Sequence, residues 1–294
     1  MTDNARWVRP YGTATDGPFQ VSISDSVEGW EHTSLRVATI APGDAVELAT
    51  GDSEFVVVPL RGGPEVNGTR LTGRADVFAG PTDVAYVPPG AELSVRNPGT
   101  DPITVALCGA KATRRAEPLP FRHLAAQDVP VELRGAGTAS REVRNFGIPG
   151  VLDADSVIAC EVVTPAGNWS SYPPHKHDEE RAGVETRLEE IYYFEVRAES
   201  DDATDPVGYQ RVYGTTERPI DVLAEVRSGD VVLVPHGWHG PAMAPPGYDL
   251  YYLNVMAGPG AERAWLICDD PAHAWVRGSW AGQEIDPRLP IGGR

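Results

Sequence analysis

The sequence lacks the features of a membrane or secreted protein. No run approaches the roughly 18 apolar residues that a membrane-spanning helix needs, and residues 1–20 lack the basic-then-apolar order of a signal peptide. The three cysteines, Cys108, Cys160 and Cys268, are far apart and form no CxxC motif. We therefore expect reduced thiols, a cytoplasmic protein and no contact with a membrane.

Positive charge is also scarce. Lysine occurs only as Lys111 and Lys176, and the 25 Lys and Arg residues are outnumbered by 42 Asp and Glu residues, so the net charge is −17. No local basic patch offsets this excess, and the protein as a whole repels phosphate backbones and anionic lipids. These charges argue against nucleic acid or a membrane surface as the partner.

Long helical stretches are missing because glycine and proline interrupt the whole chain. The 294 residues include 31 Gly and 27 Pro, about a fifth of the total, against roughly 12% in an average protein. A hydrophobic content of 41% still supplies a core, which excludes a disordered chain. Short apolar runs between turn residues predict an all-β fold, and only 119–128 and 273–280 could form a helical turn or two. The predicted strands are 35–40, 55–60, 83–87, 92–96, 103–108, 156–164, 190–196, 209–213, 221–226, 230–234, 250–256 and 263–268.

An internal repeat divides the chain. Residues 83–92 match residues 230–239 at an Asp, two Val, a Pro and a Gly, with an offset of 147 residues. Each copy is an apolar strand followed by a Pro-x-Gly turn. We predict two similar β domains, 1–135 and 136–294, joined near 112–150.

The second half carries a histidine and glutamate pattern typical of a metal site. His175 and His177 alternate in a segment that follows two prolines, so an extended backbone would point both imidazoles to one face. Glu190 comes just before an apolar strand, and His239 follows the second Pro-x-Gly turn. Together they form a set of three nitrogens and one oxygen for one divalent metal ion, with Zn or Mn favoured and a position open to substrate.

Alternatives to two of these ligands remain. Glu180, Glu185 and Glu189 compete with Glu190, and His236 competes with His239. In the first half, Glu92 stands at the repeat position of His239 and no HxH occurs, so we expect that half to lack a metal site.

The order of these motifs resembles the two motifs of the cupin family. The likeness becomes more specific over four segments, which together resemble the 5-deoxy-glucuronate isomerase family of inositol catabolism. That family shares the long gap between HxH and Glu190 and the single residue, Trp238, between Gly237 and His239. The segments are 172–178 (YPPHKHD), 188–193 (LEEIYY), 210–213 (QRVY) and 248–258 (YDLYYLNVMAG).

The resemblance implies a bicupin, two double-stranded β-helix (jelly-roll) barrels with little helix. It also implies a metal-dependent aldose–ketose isomerase that converts 5-deoxy-D-glucuronate to 5-dehydro-2-deoxy-D-gluconate, with a small uronate as partner and a homo-oligomeric assembly. The alternatives are an isomerase of another uronate, a cupin oxygenase, or a non-catalytic sugar-binding bicupin.

Four further residues are candidates for catalysis or for binding the substrate carboxylate. Arg211 and Tyr213 share one face of a predicted strand, which is either the barrel interior or the outer surface. Tyr251 and Tyr252 face opposite ways, so at most one of them reaches the site, and Tyr251 is the candidate. Lys176 lies between the two ligand histidines, although an extended backbone would turn it toward Asp178 and away from the metal.

Overall fold

The structure, a computed structural model, describes residues 2–292. Strands dominate it, and the α-helices of these residues are single turns, α1 (Asn4–Trp7) and α2 (Val276–Ser279). Two 3-10 turns lie at Ala126–Asp128 and Gly137–Ala139. The prediction of an all-β fold with little helix is confirmed.

Most predicted strands are present with shifted ends. The strands of the first half are β1 (Val8–Arg9), β2 (Val21–Ile23), β3 (Thr33–Ile40), β4 (Ala45–Ala49), β5 (Ser53–Arg61), β6 (Glu65–Val66), β7 (Thr69–Arg70), β8 (Val84–Val87), β9 (Glu92–Arg96), β10 (Ile103–Lys111) and β11 (Arg122–Leu124). The strands of the second half are β12 (Val131–Arg134), β13 (Arg141–Gly147), β14 (Ile158–Thr164), β15 (Trp169–Ser170), β16 (His175–Lys176), β17 (Glu189–Ala198), β18 (Gly208–Tyr213), β19 (Asp221–Val226), β20 (Val231–Val234), β21 (Trp238–Met243), β22 (Tyr248–Ala257) and β23 (Cys268–Asp269).

The sequence predictions differ from the structure at several places, and strands such as β4 and β21 were not predicted. The strand expected at 263–268 is reduced to β23, and the segment 119–128 forms a short strand and a 3-10 turn. The prediction missed β13, whose seven residues are all buried although four of them are charged or polar. Hydrophobic patterning cannot find such a strand, because its side chains are stabilised by pairing with other charges.

The first half forms a barrel of two facing sheets with an apolar interior. A six-stranded sheet, β11-β8-β5-β10-β3-β2, faces a four-stranded sheet, β4-β9-β6-β7. Alternate residues of both sheets meet between them, among them Phe55, Val57, Leu93 and Leu107. Aliphatic and aromatic side chains therefore occupy the interior of this barrel.

The second half repeats the arrangement with a polar interior. A seven-stranded sheet, β1-β20-β17-β22-β14-β13-β12, faces the sheet β19-β18-β21-β16-β23, to which β15 is added by pairing with β21. The two repeat segments take equivalent places, because β8 and β20 lie in the larger sheet of each half while β9 and β21 lie in the smaller one. This equivalence supports a duplication of one β domain.

The two barrels pack through their larger sheets. Leu35 and Val37 of β3 join a core that includes Leu253 and Val255 of β22, while Ala38 and Ile40 face the interior of the first barrel. The six-stranded sheet is thus buried on both faces. A second link is the Glu189 carboxylate, which accepts hydrogen bonds from the backbone N–H groups of residues 31–33.

The sheet pairing also bears on the division of the chain. β12 pairs with β13, and β1 pairs with β20, so both β1 and β12 belong to the larger sheet of the second half. The predicted boundary between residues 135 and 136 falls in the turn between β12 and β13. A division that follows the sheets keeps this hairpin intact. No helix among residues 2–292 is long and apolar enough to span a membrane.

Candidate metal centre

Three histidines meet inside the second barrel. His175 on β16 stands directly opposite His239 on β21, and their ring centroids are 4.5 Å apart. The ring of His177 lies 4.6 Å from that of His239. One nitrogen from each histidine lies within 4.8 Å of the other two, a spacing that suits ligands of a single ion.

Glu190 completes this group from the opposite sheet. Its Oε2 atom lies 3.1 Å from the Nε2 atoms of both His177 and His239. Burial alone would raise the pKa of Glu190, but the charges of His239 and His177 and a hydrogen bond from His177 lower the pKa to about 2. The carboxylate is therefore ionised at neutral pH, as a metal ligand must be.

The other ring nitrogens orient these histidines. His177 Nδ1 lies 3.3 Å from the Leu188 carbonyl oxygen, and His239 Nδ1 lies 3.1 Å from that of Gly237. These Nδ1 contacts fix the rings so that both Nε2 atoms lie beside Glu190, an orientation that suits ligands of a metal ion. Gly237 itself has a φ of 93°, and a side chain there would collide with the Tyr213 carbonyl oxygen at 2.7 Å.

The hydrogen bonding and protonation of His239 and His175 also suit a metal ion. The Nε2 atom of His239 is buried and makes no hydrogen bond, although the Glu190 oxygen lies 3.1 Å away. Burial, with the neighbouring His239 and His177, also lowers the pKa of His175 well below its ordinary value, so this imidazole stays neutral. An unpaired buried nitrogen beside a neutral histidine and an ionised carboxylate is the donor state that a divalent cation requires.

The alternative ligands lie elsewhere. Glu185 accepts hydrogen bonds from Lys176 Nζ and the backbone N–H of Asp178, at 2.8 and 2.9 Å. Glu180 is exposed, Glu189 binds the first barrel, and His236 is absent from the histidine group. Glu190 and His239 are thus the residues that the structure brings to His175 and His177.

A charged network supports the ligand loops from behind. Lys176 Nζ lies 2.6 Å from Asp178 Oδ1 and 2.8 Å from Glu185 Oε1. The second oxygen of Asp178 accepts a hydrogen bond of 2.8 Å from the backbone N–H of Gly237. The loop with His175 and the turn before His239 are therefore joined through one carboxylate.

The candidate metal centre opens to a cavity of about 440 Å³. His175 and Glu190 line it together with Tyr192, Tyr252 and Asn254 from the larger sheet. Both tyrosine hydroxyls lie near Ser171 Oγ, at 3.4 and 3.2 Å, and burial raises the pKa of both, so they remain protonated donors. The rim is formed by three arginines and two tryptophans: Arg134, Arg141, Arg277, Trp265 and Trp280.

Sequence comparison relates this arrangement to known proteins. Residues 7–276 match the KduI/IolB family, which is nearly the whole chain. The chain belongs to the KduI/IolB family.

Relatives of this KduI/IolB chain include proteins named 5-deoxy-glucuronate isomerase. That of Geobacillus kaustophilus (strain HTA426) is 40% identical over 263 residues, covering 87% of this chain and 90% of that protein. That of Bacillus licheniformis is 37% identical over 260 residues, covering 86% and 91%.

Solved structures agree on the fold. An IolB-like protein from Salmonella typhimurium LT2 aligns with a TM-score of 0.80 and 33% sequence identity, over 92% of this chain and 98% of that one. An oxalate decarboxylase from Lactobacillus farciminis aligns with a TM-score of 0.61, over 90% of this chain and 88% of that one. The sequence identity is 10%, so this is a likeness of fold alone. The prediction of an all-β bicupin is confirmed.

The catalytic candidates from the sequence lie outside the cavity of this KduI/IolB protein. Arg211 and Tyr213 are on the outer face of β18, where Arg211 pairs with Asp221 and Tyr213 donates a hydrogen bond to Asp270. The inward residues of that strand are Gln210 and Val212.

The other two catalytic candidates, Tyr251 and Lys176, also lie outside the cavity. Tyr251 faces the first barrel and donates a hydrogen bond of 2.6 Å to Glu161, so its neighbour Tyr252 is the tyrosine that lines the cavity. Lys176 turns away from the metal centre, as its extended backbone indicated. Sequence reasoning missed Tyr192 and Asn254, although each lies two residues from another cavity residue on the same strand, a spacing that places both on one face.

Proposed function

We propose that this protein is a metal-dependent aldose–ketose isomerase that converts 5-deoxy-D-glucuronate to 5-dehydro-2-deoxy-D-gluconate. The observation that carries the proposal is the set of three histidines and one glutamate at the floor of a cavity of about 440 Å³. Its support from relatives is the name 5-deoxy-glucuronate isomerase, borne by proteins 40% and 37% identical over most of the chain.

The ligand set defines where the reaction occurs. His175, His177, His239 and Glu190 would hold one divalent ion, and we propose Zn or Mn because mixed imidazole and carboxylate sets suit both. When bound, the ion supplies Lewis-acid polarisation of the substrate carbonyl and stabilises the negative charge that develops on its oxygen. His175 and Glu190 line the cavity, so the aldehyde end of the sugar would lie there, beside the residues that would hold the ion.

The cavity walls bind and orient the sugar. The hydroxyls of Tyr192 and Tyr252 stay protonated and can donate hydrogen bonds to substrate oxygens. The side-chain nitrogen of Asn254 is buried without a hydrogen-bond partner, which leaves a further donor for the substrate. Val143, Val162 and Trp265 form apolar parts of the wall and limit the access of water.

The experiment is incubation of the metal-loaded protein with 5-deoxy-D-glucuronate in D₂O, followed by NMR. We expect the keto product and deuterium at the carbon that exchanges its proton. Stoichiometric metal with neither product nor exchange would refute the proposal. Another uronate is the comparison substrate, and faster turnover of that sugar would favour the alternative of an isomerase that acts on a different uronate.

A further inference from the structure

Arg141 stands out among the residues of the cavity. It is the first residue of β13, only 8% of its surface is exposed, and its side chain reaches the cavity of the metal centre. One guanidinium nitrogen donates a hydrogen bond of 3.1 Å to the Ala139 carbonyl oxygen. Within residues 2–292, no carboxylate pairs with it.

The other two arginines of the rim are already neutralised. Arg134 Nε lies 2.8 Å from a Glu132 oxygen, and Arg277 Nη2 donates a hydrogen bond of 2.7 Å to Asp269. Buried charges in proteins are normally paired, because removing an ion from water is unfavourable unless an opposite charge compensates. Arg141 is therefore the rim arginine that lacks its counter-ion.

The surroundings of Arg141 hold its charge close to the metal centre. Its guanidinium lies 5.8 Å from the centroid of the Trp280 ring, and Gly135 leaves the space beside it open, since a side chain there would come within 2.8 Å of Nη1. His175 and Glu190 line the same cavity as Arg141. The arginine and the ligand group thus share one small cavity.

Arg141 keeps its charge at neutral pH. Burial is the main cause that lowers its pKa to about 10, which still leaves the side chain protonated. A protein with a net charge of −17 thus places an uncompensated buried cation beside its metal ligands. Such a site favours an anionic ligand over a neutral one of the same shape.

We infer that Arg141 binds the carboxylate of the uronate substrate and so selects a sugar acid over a neutral sugar. The inference rests on the proposed function for the identity of the substrate. With the aldehyde end at the metal centre, the carboxylate at the other end of the carbon chain pairs with the guanidinium. Arg211 and Lys176, the cations expected from the sequence, already have carboxylate partners outside the cavity.

The test uses two probes that bind without turnover. The first is the substrate with its aldehyde reduced to an alcohol, which keeps the carboxylate, and the second is the neutral alditol in which the carboxylate is reduced as well. Calorimetry with the metal-loaded protein gives both affinities. Arg141→Gln should weaken binding of the acid about 10- to 100-fold, since a hydrogen-bonded charge is lost, and leave binding of the neutral alditol unchanged.

Two comparison variants sharpen the test. Arg211→Gln makes the same chemical change outside the cavity and should alter neither affinity. Arg141→Lys retains the charge but not the planar fork of donors, so its acid affinity should fall between those of wild type and Arg141→Gln. Metal content, which should equal that of wild type in every variant, reports whether the site is intact.

The outcomes separate this inference from the proposed function. Equal affinity of wild type for both probes, or unchanged acid binding in both Arg141 variants, would overturn the role of Arg141. The role of Arg141 would also be overturned if Arg277→Gln, but not Arg141→Gln, lost the preference for the acid over the neutral alditol. If the acid preference depends on Arg141 while the wild type isomerises nothing, the carboxylate assignment stands and the isomerase proposal fails.

Discussion

Glu190 Oε2 and His239 Nε2 lie 3.1 Å apart, yet no hydrogen bond joins them. A buried imidazole nitrogen beside an ionised carboxylate normally aligns with it, because an unmade hydrogen bond in a low-dielectric interior is costly. The His239 nitrogen instead lies within 4.8 Å of a ring nitrogen of His175 and of His177, and the Glu190 oxygen lies 3.1 Å from both His177 and His239. This close contact without a hydrogen bond is expected of two ligands of the same cation.

Glu190→Gln should remove the metal ion and leave the fold intact. The amide keeps the shape of the side chain but loses the negative charge. We therefore expect the affinity for the metal ion to fall by more than roughly 100-fold, because mutating a residue that only supports a ligand already costs about 10- to 100-fold. Metal analysis after dialysis, with circular dichroism, measures both effects. Glu180→Gln changes an exposed alternative ligand and should retain one ion per chain. Full metal content in Glu190→Gln would show that the assignment of this ligand is wrong.

The pH dependence of the metal-free protein provides a second test of Glu190. Burial raises its pKa, but the neighbouring histidines lower it from 4.5 to about 2 in the folded state. A carboxylate with a depressed folded pKa stabilises the fold above its unfolded pKa, and this stabilisation is lost as the pH falls through the folded value. Between pH 4.5 and 2, chelated wild type should lose more free energy of unfolding than Glu190→Gln does. Urea unfolding measures the difference, and parallel losses would contradict it.

Of the ligand strands, only β17 could be predicted as a strand, because it is an apolar run, whereas β16 and β21 were not predicted. The convergence of HxH, Glu190 and His239 follows from alternation along strands and from the Pro-x-Gly turn. Alternation alone does not tell which face is inside. Arg211 and Tyr213 were correctly placed on one face of β18, yet that face is the outer one, because Gln210 and Val212 fill the interior.

Arg141, which we infer binds the substrate carboxylate, could not be identified from the sequence for a different reason. Arg141 begins a strand whose buried charges, such as Arg144 and Glu142, pair with each other and with Glu161 at 2.7 and 3.8 Å. A strand stabilised by charge pairing across a sheet has no hydrophobic pattern. Its place in the cavity follows only from the three-dimensional pairing of β12, β13 and β14.

The only two lysines of the sequence form a matched pair for a stability test. Lys176 holds the carboxylates of Asp178 and Glu185, and its side chain is 12% exposed. Lys176→Met should therefore lower the free energy of unfolding by about 2 kcal/mol, because two buried carboxylates lose a charged hydrogen-bond donor while Arg218 and Arg181 still pair with them. Lys111→Met breaks an exposed pair with Asp25 and should cost less than about 1 kcal/mol. Urea unfolding of both variants measures these losses. Equal losses of free energy of unfolding would show that the network around Asp178 is not buried as described.

Tyr251 and Tyr252 are adjacent on β22 and face opposite sides of the sheet, so removing one hydroxyl from each separates catalysis from stability. Tyr252→Phe removes a donor from the cavity and should lower kcat/KM roughly tenfold, because one hydrogen bond to the substrate is worth about 1–2 kcal/mol. Tyr251→Phe removes a buried hydrogen bond of 2.6 Å to Glu161 and should lower the free energy of unfolding by about 1–3 kcal/mol. Its kcat/KM should stay unchanged.

Steady-state kinetics and urea unfolding on both variants test this division of roles. The two tyrosines have the same sequence environment and undergo the same substitution, so any difference comes from the face that each occupies. A loss of activity in Tyr251→Phe without a loss in Tyr252→Phe would restore the candidate expected from the sequence. It would also mean that substrate approaches from the barrel interface, where Arg74 and Glu161 form a buried ion pair, and not through the cavity above the histidines.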